Sequence, residues 1–232
     1  MSEKQDQLKA AAAESAAARV MDGMIVGLGS GSTAALAVSA IGKRVRDGLR
    51  ITGVPTSEAT AAQAQALGIP LTTLADVSSI DLTIDGADEV ELGSLNLIKG
   101  LGGALLREKL VATATKALII VVDSSKLVTH RGEHDSIPVE VVPFGWETTA
   151  GRLARLGATP VLRRNAKIEV FVTDGGHYIL DCRFQSIASG EALAGELDHI
   201  VGVVEHGLFI GMTQEVHVAG AEGVRVLKRA GG

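Results

Sequence analysis

Met24-Ile25-Val26-Gly27-Leu28-Gly29-Ser30-Gly31-Ser32-Thr33 runs from a short apolar segment into a turn of glycines and hydroxyls, and Ala34 to Val45 continues with helical composition. Strand, glycine-rich turn, helix is how an α/β unit opens. Upstream, residues 4–20 are alanine-rich without Gly or Pro and predict an opening helix. Downstream, Ile51–Val54, Ile80–Ile84 and Ala117–Val122 read as further strands. Ser57–Leu67 and Ala104–Thr115 read as helices, the first capped by Ser57 and ended by Gly68. Short strands that do not alternate, separated by helices, imply a parallel sheet covered on both faces. The first 130 residues therefore predict a doubly wound α/β domain.

The texture changes at His130-Arg131-Gly132-Glu133-His134-Asp135-Ser136, a polar run at which we place a boundary. Beyond it, Pro138–Val142, Ala158–Arg163, Val170–Thr173 and Tyr178–Phe184 are candidate strands. The last two flank Asp174-Gly175-Gly176-His177, a hairpin turn signal. With helices over Trp146–Leu156 and Glu191–Leu197, residues from about 131 to 205 predict a small α+β, ferredoxin-like domain. Leu208-Phe209-Ile210 and Val224–Leu227 are expected to return to the first sheet, so that residues from about 206 to 232 complete the first domain.

Composition narrows the function. In 232 residues, 46% are hydrophobic and 21% charged, which excludes a disordered chain. A net charge of −5 with only 3% aromatics argues against a nucleic-acid partner. The apolar run Ala117–Val122 is far short of the ~20 residues needed to span a bilayer. The opening MSEKQDQLK has no apolar segment, so a secretory signal is not expected and a cytoplasmic location is. Cys182, the single cysteine, lies in a strand-like setting and is expected to be a buried, inert thiol.

Four segments carry chemistry. Gly29-Ser30-Gly31-Ser32-Thr33 at a helix start offers backbone N–H groups and hydroxyls to an anion. It lacks the lysine of a Walker loop, and no acidic residue ends the next strand to hold a ribose. A small ligand's phosphate or a plain tight turn remain. Asp85-Gly86-Ala87-Asp88-Glu89 ends a strand, where open α/β sheets place ligands. Two close carboxylates raise one another's pKa, which suits acid–base work, although capping or a divalent metal would use the same residues. Lys99-Gly100-Leu101-Gly102-Gly103 puts a lysine before flexible glycines, able to meet negative charge on a substrate oxygen. Glu108, on the helix that follows, would by itself be read as part of a solvated face. Asp123-Ser124-Ser125-Lys126 brings a second lysine to the strand ends. His130 and His134 are four apart, but Gly132 interrupts any helix between them, and they read as solvated loop residues rather than metal ligands.

In this order and spacing, GLGSGST, DGADEV, KGLGGALLREK and VDSSK resemble the type A ribose-5-phosphate isomerases, and the likeness runs on through Pro138–Pro143 over nearly the whole chain. The resemblance implies a Rossmann-like catalytic domain and interconversion of ribose 5-phosphate and ribulose 5-phosphate in the pentose phosphate pathway, without metal or nucleotide cofactor. It implies Glu108 as general base between C1 and C2, Lys99 as stabiliser of the enediolate oxyanion, and Asp85, with Asp88 beside it, in ring opening. Ser30, Gly31, Ser32, Thr33, Gly86, Ala87, Gly100, Leu101 and Gly102 would line the substrate site, Lys126 would contact substrate, and Lys9 would reach its phosphate. A homodimer or homotetramer is implied as well. One departure stands out: the family carries consecutive glycines where this chain has Leu101. If that position supplies only an N–H, leucine is tolerable; if it needs positive φ, leucine is strained.

Two other classes use similar scaffolds. A sugar-phosphate sensor would need a DNA-binding helix-turn-helix, for which little chain precedes the first α/β helix. An amino-sugar phosphate deaminase would release ammonia, and a CoA transferase would form a glutamyl thioester.

Overall fold

The computed structural model describes residues 3–229. The chain begins with α1 (Glu3–Ala17), β1 (Ile25–Leu28), α2 (Ser32–Arg46), β2 (Thr52–Pro55), α3 (Glu58–Ala66) and β3 (Leu82–Asp85). Two short strands follow, β4 (Glu89–Glu91) and β5 (Leu97–Ile98), then α4 (Leu105–Thr113), β6 (Leu118–Asp123), a single 3₁₀ turn at Ser124–Lys126 and β7 (Leu127–Val128). Next come β8 (Ile137–Val141), α5 (Trp146–Arg155), β9 (Ala158–Leu162), β10 (Tyr178–Phe184), α6 (Gly190–Asp198) and β11 (Val203–His206). The described chain closes with β12 (Leu208–Phe209), β13 (Glu215–Gly220) and β14 (Gly223–Lys228).

Six strands form the central sheet in the order β14-β13-β6-β3-β1-β2, parallel except for β14. β6 shows why its sequence does not alternate. Ile119 and Val121 face a core shared with α1 and α2, while Leu118, Ile120 and Val122 face a second core containing Phe209, Val216 and Val218. All six of its residues are buried. The alanines of α1 serve packing: Ala12, Ala13, Ala16 and Ala17 are at most 1% exposed against α2 and the sheet, a closeness that larger side chains would prevent.

The second sheet has the order β11-β8-β10-β9, all antiparallel, with α5 and α6 as its helices. Strand–helix–strand–strand–helix–strand in that order is the ferredoxin-like arrangement. Its core includes Val139, Val141, Leu153, Leu180 and Leu197, and Cys182 is buried among them with its thiol pushed up to about 12 by desolvation.

Two expectations are corrected. Val170–Thr173 is not a strand of a hairpin: β10 already has β9 on one side and β8 on the other, and among the described residues the segment's one bridge is the isolated Arg164–Val170 pair. The turn itself exists, with Gly176 N–H donating to Thr173 O at 2.9 Å. Leu208-Phe209 does not rejoin the first sheet. It pairs with β5 in a third small sheet, β12-β5-β4-β7, while β13 and β14 do join the first. Strands of two or three residues have no periodicity to detect. Among the described residues, no helix is long and apolar enough to cross a membrane.

Candidate active site

In the order β6-β3-β1-β2 the connection reverses between β1 and β3, so the loops after these strands diverge and leave a cleft at their carboxyl ends. Gly29 makes the neighbouring loops touch: a Cβ there would overlap the Asp85 carboxylate. Ser30 N–H donates to Asp85 Oδ1 at 3.1 Å, and Gly86 N–H donates to the same oxygen at 2.7 Å. The Ser30 hydroxyl is held in turn by Thr56 (2.7 Å), Ser57 (2.8 Å) and Thr60 (3.1 Å) around the start of α3. That hydroxyl cluster escapes a reading by motif, because its members lie 26 to 30 residues from Ser30. Ser57 was legible as a cap, and its side chain does accept from Thr60 N–H.

The cleft, about 170 Å³, is lined by Lys9, Ser30, Gly31, Ser32, Thr33, Gly86, Ala87, Asp88, Lys99, Gly100, Gly102, Glu108 and Lys126. Every one of these was singled out in the sequence. Two further candidates, Asp85 and Leu101, do not line it. Asp85 is 2% exposed and lies beneath, 3.0 Å from Lys99 Nζ. Leu101 is 38% exposed, and it is its backbone that faces inward: Leu101 N–H donates to Asp88 Oδ2 at 2.9 Å. The positive φ values of the turn fall on Gly100 (106°) and Gly103 (85°), not on Leu101, so leucine is accommodated without strain.

At the centre, Lys99 Nζ lies between Asp85 (3.0 Å), Glu108 Oε1 (3.3 Å) and the carbonyl of Gly86, to which it donates at 2.6 Å. Glu108 is no solvated helix residue: it is 5% exposed, in the first turn of α4. Its Oε2 is buried without a hydrogen-bond partner. Burial pushes the Glu108 carboxyl well above the ordinary range; Lys99 opposes this, and Asp85 and Asp88 add to it. Burial works against the charge on Lys99, but Asp85 and Glu108 outweigh it and hold the ammonium above its usual pKa. Asp88 is raised too, by desolvation first, against the Leu101 N–H bond. Three carboxyl groups around one ammonium thus leave room for a proton to be held and passed on.

The Phe209 ring lies under this cluster, 5.6 Å from Lys99 Nζ and 5.0 Å from Lys109 Nζ. Behind it, Asp198, Glu205 and His206 come close enough together to hold an ion. Lys109 already donates to Glu205 at 2.6 Å and stands 3.3 Å from His206 Nδ1, so an ammonium supplies positive charge there. His134 is exposed beside Glu133. The loop that carries it is fixed by Glu89, whose buried carboxylate accepts N–H bonds from Gly132, His134 and Asp135.

A doubly wound α/β domain with a buried carboxylate–lysine cluster at its switch point has the form of an enzyme site for a small ligand, with groups able to move a proton. Comparison with known proteins narrows the class. Residues 52–223 match the family model of ribose 5-phosphate isomerase A (phosphoriboisomerase A). A ribose-5-phosphate isomerase A of Gloeobacter violaceus is 60% identical over 96% of each chain. The ribose 5-phosphate isomerase A of Methanocaldococcus jannaschii superposes with a TM-score of 0.93 at 39% identity, covering 97% of this chain and 100% of its own. A D-ribose-5-phosphate isomerase solved with phospho-erythronic acid gives 0.93 at 36% identity, over 97% and 99%. The chain belongs to the ribose 5-phosphate isomerase A family.

Proposed function

We propose that the cleft interconverts D-ribose 5-phosphate and D-ribulose 5-phosphate through a cis-enediolate, in the non-oxidative branch of the pentose phosphate pathway. The observation that carries this is the buried Glu108–Lys99–Asp85 cluster, with the unpartnered Glu108 Oε2 at the cleft. Glu108 takes the proton from C2, and Lys99 meets the charge that develops on the C1 oxygen. The proton returns to C1 from the same carboxyl as a proton passes from the C2 to the C1 oxygen, giving the ketose. A carboxylate raised toward neutrality is the stronger base, and a preorganised ammonium costs no reorganisation when the oxyanion forms.

Ring opening needs a base at the C1 hydroxyl and a proton for the ring oxygen. The role expected of Asp85 passes on this geometry to Asp88, which lines the cleft, while Asp85 acts through Lys99. The phosphate is best served by Ser30–Thr33 at the start of α2, where the helix N–H groups are open, together with Lys9 and Lys126. That a relative binds phospho-erythronic acid, a phosphorylated sugar acid, fits this placement.

Running the conversion in deuterium oxide tests the scheme. One carboxyl serving both carbons gives ribulose 5-phosphate that retains part of the original C2 hydrogen at C1. Complete exchange, with no retained label at any conversion, would point to separate bases. Wild type inert toward ribose 5-phosphate would reject the function.

A further inference from the structure

We infer that Arg163 is a positioning residue for this reaction, holding the Lys99–Gly103 turn from behind so that its N–H groups face the cleft. The inference rests on the proposed function. Arg163 follows β9, in the antiparallel sheet, 63 residues from Gly100 and 62 from Leu101. Its Nη1 donates to both Gly100 O (2.8 Å) and Leu101 O (3.0 Å).

In a trans peptide the N–H and C=O point in opposite directions, and among the described residues no peptide bond is cis. Drawing those two carbonyls outward therefore turns the N–H groups of Leu101 and Gly102 inward. The first meets Asp88 at 2.9 Å, and Gly102 is among the residues that line the cleft. One guanidinium thus fixes two peptide planes beside the residue that carries the ammonium.

Arg163 is itself held on every side. Nε donates to Asp181 Oδ2 at 2.9 Å and Nη2 donates to Asp181 Oδ1, so four of its five N–H groups are used. Its backbone N–H donates to Ile179 O and its carbonyl accepts from Phe171 N–H. The Phe171 ring lies 5.9 Å from the guanidinium and against Gly103, where a Cβ would overlap it. A lysine, with a single point charge, cannot reproduce this planar fork.

The test compares wild type, Arg163→Ala and Arg163→Lys for turnover of ribose 5-phosphate and for binding of phospho-erythronic acid. Arg163→Ala is expected to fold with an unchanged circular dichroism spectrum and to lose about 10²-fold in kcat/KM, the scale of a misplaced site. Methylguanidinium should restore part of that loss where methylammonium does not, and Arg163→Lys should resemble Arg163→Ala. Folded Arg163→Ala within threefold of wild type, or a loss that neither cation or both equally repair, would overturn the inference. If Arg163→Ala does not fold, Asp181→Asn decides. A fall in kcat/KM with its acid limb shifted upward, as Asp88 loses its N–H partner, supports the inference; wild-type behaviour overturns it. Wild type inert toward ribose 5-phosphate rejects the functional reading instead, and the effect of Arg163→Ala on phospho-erythronic acid binding then judges the positioning by itself.

Discussion

At Glu108, burial and the Lys99 ammonium pull in opposite directions, and burial wins. The proposed scheme needs Glu108 ionised, so kcat/KM should fall with decreasing pH along a limb lying above the ordinary carboxylate range. A limb near pH 4.5, the carboxyl's unperturbed value, would contradict that. Lys99→Met removes the opposing charge and the proposed oxyanion partner together. It should cost about 10²–10³ in kcat and move the residual limb to still higher pH; a limb that stays in place would separate Lys99 from Glu108. The residue types of this site were legible because each of the four motifs falls at a sheet's carboxyl end or on α4 beside it. Whether Glu108 was buried was not: REK in a helix has the same composition as a solvated face, and only the packing of α4 against Phe209 and the loops tells them apart.

The elements that hold these residues were legible where they are long. β1, β3 and β6 and the helices α2 and α4 carry enough apolar residues to announce themselves, and their ends differ from expectation by a few residues at most. The third sheet was hidden because β5, β7 and β12 have two residues each and are defined by distant partners. Two substitutions test the loops. Gly29→Ala forces a methyl into Asp85, so it should cost about 1–3 kcal/mol in urea unfolding, the range for overpacking, and most of the activity; unaltered activity would show that Asp85 can move freely. Leu101→Gly should leave kcat within about threefold, since the positive φ values lie on Gly100 and Gly103 and only the backbone N–H and C=O of Leu101 are used. A large gain in kcat would mean that leucine does impede the turn.

Across the whole molecule, contacts distant in sequence tie the small sheet to the cleft, and none of them is written in a motif. Arg163 reaches Gly100 and Leu101, and Arg107 joins Glu58 of α3 at 2.7 Å and Asp174 at 3.7 Å. His206 links β11 to α4 through Lys109. Desolvation and Lys109 depress the His206 pKa from 6.5 to about 4, against Glu205 and Asp198. A histidine whose folded pKa lies below its unfolded one contributes stability that is complete above about pH 6.5 and lost as pH falls toward 4. His206→Gln should therefore flatten the decline of unfolding free energy over that interval; an unchanged decline would mean that His206 titrates alike in the folded and unfolded chain.

The proposed reaction turns on one carboxylate moving one proton, and turnover of ribose 5-phosphate by wild type and Glu108→Gln, both with excess EDTA, tests this most directly. Wild type should turn over, and a folded Glu108→Gln should lose roughly 10³-fold in kcat, the scale of a removed general base, while still binding phospho-erythronic acid. A folded Glu108→Gln that keeps its turnover would contradict the assignment and move the base to Asp88.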